Sequence, residues 1–139
     1  MPAPHYHLAK TDPETYSISD FEKEIKTVWN GVTNAQAVQS IRAMQKGDKV
    51  FVYHSMGDSA IVGLARVDSP SRPDPENPKS AVVDLTFLRR LDPPTTLHAV
   101  KASNLFPHFA LVRQSRLSTM PCPDEFVDWV RARYPKIKI

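Results

Sequence analysis

The chain has 139 residues, enough for one compact domain and too few for a multidomain machine. With 41% hydrophobic and 24% charged residues it can bury a single core without staples, and a net charge of +3 is too mild for a protein that coats nucleic acid. That charge is uneven: the first 60 residues carry 6 basic and 7 acidic groups and the remaining 79 carry 12 and 8, so an anion-facing surface is expected in the second half.

In chain order, residues 6–10 read as a short strand. Ser19-Asp20-Phe21-Glu22 has the spacing of a capping box, which predicts a helix of two or three turns from there. Another short strand is expected at 27–29. A second helix starts from an Asn34 cap and lines up Ala35, Val38, Ile41 and Met44 in three-residue steps, with Gly47 as its left-handed stop. Segments 49–54, 60–67 and 81–88 are rich in β-branched and aromatic residues and form the body of a sheet. Between the last two, Pro70, Pro73, Pro75 and Pro78 remove so many N–H donors that residues 69–78 are expected to be a surface loop. Asp92-Pro93-Pro94-Thr95-Thr96 leads into one or two helical turns, and 116–119 reads as a short strand. A last helix with Pro123 at its first position presents Phe126, Trp129, Val130 and Tyr134 on one stripe before Pro135 ends it. Strands interleaved irregularly with short helices predict a single α+β domain over 1–139, its sheet curled into a small β-barrel with short flanking helices.

The lone Cys122 cannot form an intramolecular disulfide, no apolar run approaches the ~20 residues of a membrane span, and the start lacks the pattern of a signal peptide. These features predict an intracellular protein with no membrane partner, cytoplasmic, or nuclear in a eukaryotic source. No dinucleotide fingerprint, P-loop, H-E-x-x-H or paired Cys-x-x-Cys is present, so no cofactor, metal or catalytic set is assigned. His5 and His7 lie two apart on a strand, but such a pair is more often solvated or packed than ligating. Cys122, flanked by Pro121 and Pro123, is more often a small packed residue than a nucleophile.

Three stretches share one pattern: Leu8-Ala9-Lys10-Thr11-Asp12-Pro13-Glu14-Thr15-Tyr16-Ser17-Ile18, Val28-Trp29-Asn30-Gly31-Val32-Thr33-Asn34-Ala35-Gln36-Ala37, and Leu111-Val112-Arg113-Gln114-Ser115-Arg116-Leu117-Ser118. With Gly47-Asp48 and Phe51-Val52-Tyr53-His54-Ser55 between them, the chain resembles the EVE domain of the PUA-like superfamily over about residues 6–132. The resemblance implies a PUA-like barrel and a pocket for one modified nucleobase flipped out of DNA or RNA, much as the related YTH domains hold a methylated adenine in an aromatic cage. By position it implies a pocket lined by Lys10, Thr11, Trp29, Asn30, Asn34, Tyr53, His54 and Ser55. The chain departs from many relatives at His7, Thr11, Asp12 and Asn30, where Trp, Ser, Glu and Asp are usual, so its pocket floor is expected to be less aromatic.

The residue types suit that task on their own chemistry. A flipped base needs a flat π surface, groups for its hydrogen-bonding edge and cations for flanking phosphates. Trp29 precedes the turn dipeptide Asn30-Gly31, where an indole either stacks on a ligand or packs in the core. Asn34 matches the edge of cytosine or adenine, and it is equally a helix cap. Lys10 suits a base carbonyl or a phosphate, or plain solvent. Tyr53 and His54 must point to opposite faces of their strand, with His54 and Ser55 at the mouth of the turn that follows. Arg113, Gln114, Ser115 and Arg116 combine two guanidinium groups with two neutral hydrogen-bonding side chains, suited to a strand backbone or to bracing the pocket wall.

The expected function is a non-enzymatic reader of a modified base, a cytosine derivative first. Two other classes compete. One is a small amidohydrolase similar to ASCH proteins, acting on N-acylated cytidine through Lys10, Thr11 and a carboxylate from Asp12 or Glu14. The other is a protein-interaction domain that has lost its ligand.

Overall fold

The computed structural model describes residues 4–57 and 59–139. Its strands are β1 (Tyr6–Thr11), β2 (Lys26–Trp29), β3 (Lys49–His54), β4 (Ala60–Val67), β5 (Arg72–Asp74), β6 (Asn77–Thr96) and β7 (Thr119–Pro121). Its helices are α1 (Ile18–Glu24), α2 (Ala35–Ala43), α3 (Leu97–Ala102), α4 (Ala110–Arg113) and α5 (Asp124–Arg133). The α+β class and the three central strands are as the composition predicts.

The strands form one mixed sheet in the order β2-β6-β4-β3-β1-β7, with β5 pairing to β6 off that path. β1 runs parallel to β3 and antiparallel to β7, and the other pairings are antiparallel. The barrel is not closed, because no ladder among the described residues joins β2 to β1 or β7. Instead α2 packs against both β6 and β7. Two aromatic groups fill the interior. Tyr16, Phe21, Trp29 and Phe87 meet near β2, while Tyr6, Phe51, Phe109 and Phe126 meet beneath α5.

Several local expectations are corrected. The capping box at α1 uses Ser17 and Asp20 rather than Ser19 and Glu22: Ser17 Oγ accepts from Asp20 N at 3.1 Å and Asp20 Oδ2 accepts from Ser17 N at 2.9 Å. Ser19 and Glu22 instead hold Arg90, whose Nη2 and Nε donate to them at 2.7 and 2.9 Å. α2 ends at Ala43, and Gly47 takes its positive φ of 97° in the turn before β3. The proline-rich loop is a hairpin, because β5 pairs on one side only and Pro73 needs no ladder donor there. The short strand expected at 116–119 lies at Thr119–Pro121, since residues 114–118 turn to meet Lys10. Among the described residues no helix is long and apolar enough to cross a membrane.

Candidate functional site

A cleft of about 520 Å³ opens where the two ends of the sheet fail to meet. One wall is the end of β1 and the turn after it, with Lys10, Thr11, Asp12 and Tyr16. The other is β2 and its following turn, with Thr27, Trp29 and Asn30. The volume is in the range that holds a small planar ligand.

The floor is aromatic but mostly covered. Trp29 lines the cleft with only 7% of its surface exposed, its ring tilted against Phe21 at 6.1 Å and edge-on to Tyr16 at 6.3 Å. The indole is thus a core residue whose small exposed part borders the cleft. Burial pushes the Tyr16 phenol up to about 12. Its hydroxyl is buried without a hydrogen bond in the described structure, although Thr27 and Glu24 are close enough to influence its acidity.

Lys10 is held on three sides. Its backbone N–H donates to Ser118 O at 2.8 Å, its ammonium donates to Ser115 O at 3.0 Å, and that ammonium also lies 5.5 Å from the centre of the Tyr53 ring. Burial pushes its pKa down. One strand position on, Thr11 turns away: its hydroxyl donates to Tyr16 O at 2.8 Å. Lys10 and Thr11 thus donate to different carbonyls, and no hydrogen bond joins their side chains among the described residues.

The sequence offers Asp12 as a turn residue and as a candidate carboxylate of the amidohydrolase, not as part of the base pocket. It does make the turn, with Asp12 O accepting from Thr15 N and Tyr16 N at 3.0 and 2.8 Å and Oδ1 accepting from Glu14 N at 2.9 Å. It also lines the cleft, and no cation pairs with its carboxylate among the described residues. Lys10 and Asp12 thus put a cationic donor and an anionic acceptor on one wall. Thr15 and Tyr16, which also line this wall, are not among the expected pocket residues, although both lie inside the first stretch that carries the family resemblance.

The remaining expected residues take other places. Asn34 caps α2, its side-chain oxygen accepting from Gln36 N and Ala37 N at 2.9 and 3.1 Å. Tyr53 is buried beneath Lys10, and His54 faces the other side of β3, as strand alternation requires. His54 Nε2 accepts from Ile18 N at 3.0 Å, which fixes the proton on Nδ1. Burial and then Arg90 push its pKa down. Ser55 braces the β1 end, its N–H and hydroxyl both donating to Thr11 O at 3.0 and 3.3 Å. Arg113, Gln114, Ser115 and Arg116 form an exposed end to α4 and the turn beyond, tied to the cleft through Ser115 O.

Two other candidates lie apart. His7 is buried and its Nε2 lies 2.9 Å from Asp48 Oδ2. Cys122 packs against the core, and burial pushes its thiol up, away from the thiolate a nucleophile requires.

The model of the EVE domain family matches residues 5–133. The chain belongs to the EVE-domain family. This EVE domain is 30% identical to rat thymocyte nuclear protein 1, over 91% of the chain and 72% of that relative. It superposes on Rpa0253 from Rhodopseudomonas palustris with a TM-score of 0.88 and 32% identity, covering 97% of this chain and 96% of that one. It also superposes on human THYN1 in complex with 5-methylcytosine-containing DNA, with a TM-score of 0.86 and 26% identity over 96% of this chain and 99% of that one. The PUA-like fold expected for the family is thus shared along almost its whole length.

Proposed function

We propose that this EVE domain reads a single modified base, a 5-substituted cytosine first, extruded from a DNA strand into the cleft between β1 and β2. What carries the reading is the cleft itself, because it sets an aromatic floor, a half-buried ammonium and a carboxylate around a space of about 520 Å³. Support for cytosine comes from its edge, which presents an exocyclic amine beside acceptors: Asp12 suits the amine, while Lys10 suits the carbonyl. A human relative bound to 5-methylcytosine DNA supports the polymer and the modification. Asn30 and the backbone near Gly31 complete the opposite rim, and Arg113 and Arg116 meet the flanking phosphates.

The test is a panel of single-stranded DNA and RNA oligonucleotides that differ only in one central base. The expected result is tighter binding to 5-methylcytosine DNA than to unmodified DNA, lost in Lys10→Ala. Equal affinity for all members would overturn the reading. Hydrolysis of N4-acetylcytidine that disappears in Lys10→Ala would replace it with the amidohydrolase.

A further inference from the structure

Lys49, Arg66, Arg89, Arg131 and Lys138 gather at the end of the β1–β3 pair that is remote from the cleft. Lys49 stands opposite Tyr6 at the start of β1, whereas the cleft begins at Lys10, roughly 13 Å further along the strand. Lys49 and Arg66 are direct partners in the β3–β4 ladder. Arg89 stands opposite Leu64, itself the partner of Phe51, so all three cationic side chains leave the same face of the sheet. α5 packs over that face, where Phe126 meets Phe51, and brings Arg131 Nη2 to the Tyr6 hydroxyl at 2.9 Å. Lys138 comes from the segment beyond α5. Burial and then Arg89, Lys138, Arg131 and Arg66 push the Lys49 pKa down, so four cations act on one half-buried ammonium.

The acids nearby neutralise only part of this cluster. Asp68 Oδ1 accepts from Arg66 Nε at 2.9 Å and Asp128 Oδ1 from Arg131 Nη1 at 3.2 Å, while Asp48, beside Lys49 in the chain, is turned to His7. Among the described residues no carboxylate pairs with Lys49, Arg89 or Lys138, and Arg89 Nε is buried without an acceptor. Like charges set directly across two strands oppose folding, and partial burial adds to the cost. A scaffold gains nothing from that arrangement. An anion held by Lys49 and Arg89 turns the same repulsion into binding energy.

The form of the cluster selects the anion. Its cations come from three strands, a helix and the segment after it and converge on a single ammonium, whereas a nucleic acid backbone asks for cations strung out along its course. The uncommitted charges of Lys49, Arg89 and Lys138 suit an anion that carries more than one charge. A phosphate monoester carries about −1.5 to −2 at pH 7 and offers three acceptor oxygens, while a phosphodiester carries a single charge and offers fewer. We infer that Lys49, Arg89 and Lys138 form a binding site for a phosphate monoester group, with Arg66 and Arg131 as supporting charge. The inference is independent of the base-reading function proposed above. The group can arrive as free phosphate or at the 5′ end of a nucleic acid strand, and the chemistry of recognition is the same.

Isothermal titration calorimetry at an ionic strength fixed with sodium chloride tests the site, with inorganic phosphate as the probe and dimethyl phosphate as the diester control. The expected result is one saturable site for phosphate and binding of dimethyl phosphate weaker by about tenfold or more. Lys49→Met keeps an apolar stem and removes the charge. It should lower phosphate affinity by about tenfold or more, while its melting temperature in chloride alone holds or rises because a like-charge contact is gone. If Lys49→Met melts below the unaltered protein, Lys138→Ala decides, since it alters only an exposed side chain and should still weaken phosphate by about two- to tenfold. Thymidine oligonucleotides with and without a 5′-phosphate separate the two sources: a gain over inorganic phosphate that needs the 5′-phosphate identifies the strand end, and no gain identifies the free ion. No phosphate binding, equal affinity for phosphate and dimethyl phosphate, or phosphate affinity unchanged in the deciding variant would overturn the inference while leaving the base reader intact.

Discussion

His7 Nε2 lies 2.9 Å from Asp48 Oδ2, and both side chains are about 5% exposed. The carboxylate also accepts from His5 N at 3.2 Å and from Gln45 N at 3.0 Å, so one buried side chain joins the start of β1 to the turn before β3. Replacing Asp48 with Ala removes the acceptor of all three donors. Urea denaturation of Asp48→Ala should show a loss of about 1–3 kcal/mol, the cost of leaving the buried His7 ring unpaired, because the N–H groups of the exposed His5 and Gln45 can turn to water. A loss below about 1 kcal/mol would mean water replaces the carboxylate.

Trp29 is structural as well as a wall of the cleft. Trp29→Ala should destabilise by about 3–5 kcal/mol through the cavity it leaves, so lost ligand binding in that variant would not identify a contact. Trp29→Phe retains much of the packing and is the informative change. Its melting temperature should stay closer to that of the unaltered protein than Trp29→Ala, while affinity for a 5-methylcytosine oligonucleotide falls. Affinity that holds at its original value would confine Trp29 to the core.

Gly63 sits where no side chain fits. A Cβ there would collide with Ile18 Cδ1 and come within 3.3 Å of Arg89 O. Gly63→Ala should cost about 1–3 kcal/mol as an overpacking change. Because Ile18→Val removes the nearest clashing atom, the double variant should be more stable than the sum of the single effects predicts, by about 1 kcal/mol. A double-mutant cycle that closes to zero would place the strain against the Arg89 carbonyl instead.

His54 must stay neutral to accept the Ile18 N–H, and burial and Arg90 lower its pKa from the ordinary 6.5. The sign follows from proton counting. Between the lowered value and 6.5 the unfolded chain binds the proton and the folded chain does not, so stability falls as pH drops through that window. The melting temperature should decline on acidification below about pH 6.5, and the decline should be shallower in His54→Gln. Parallel curves for the two proteins would remove His54 from the pH response.

Arg113 and Arg116 are exposed beside the cleft, where phosphate contact would leave a salt signature. Arg113→Ala should weaken oligonucleotide binding without changing preference for the modified base, and should reduce the slope of log affinity against log salt by about 0.7 for a single strand. An unchanged slope would assign the guanidinium to solvent.

Where local chemistry and tertiary context agree, the fold is legible from residues alone. β3 and β4 coincide with their β-branched segments, and Asn34 caps α2 as its type and place suggest. β6 shows the limit. Its continuation to Thr96 passes through Pro93 and Pro94; they are tolerated because residues 91–94 fall in the register shift between the Ile61–Thr95 and Gly63–Arg90 pairs, where no ladder donor is needed. α1 was misplaced by two residues because Ser17 and Ser19 both have the right spacing to an acid, and only the packed structure recruits Ser19 and Glu22 to Arg90. The walls of the cleft were legible mainly through family resemblance, since Asp12 gives the same signal whether it only turns the chain or also faces a ligand.

β1 owes one neighbour to β3 and the other to β7, with His7 set against Pro121. During synthesis β1 must therefore wait, one flank bare, until the much later segment that carries β7 has emerged. Lys10 is anchored by Ser115 and Ser118 just before β7, so the cation of the cleft is fixed only after that segment has emerged. A nascent chain halted before that stage would display an unpaired strand instead of a finished binding surface, a state that chaperones recognise and neighbouring chains can template upon.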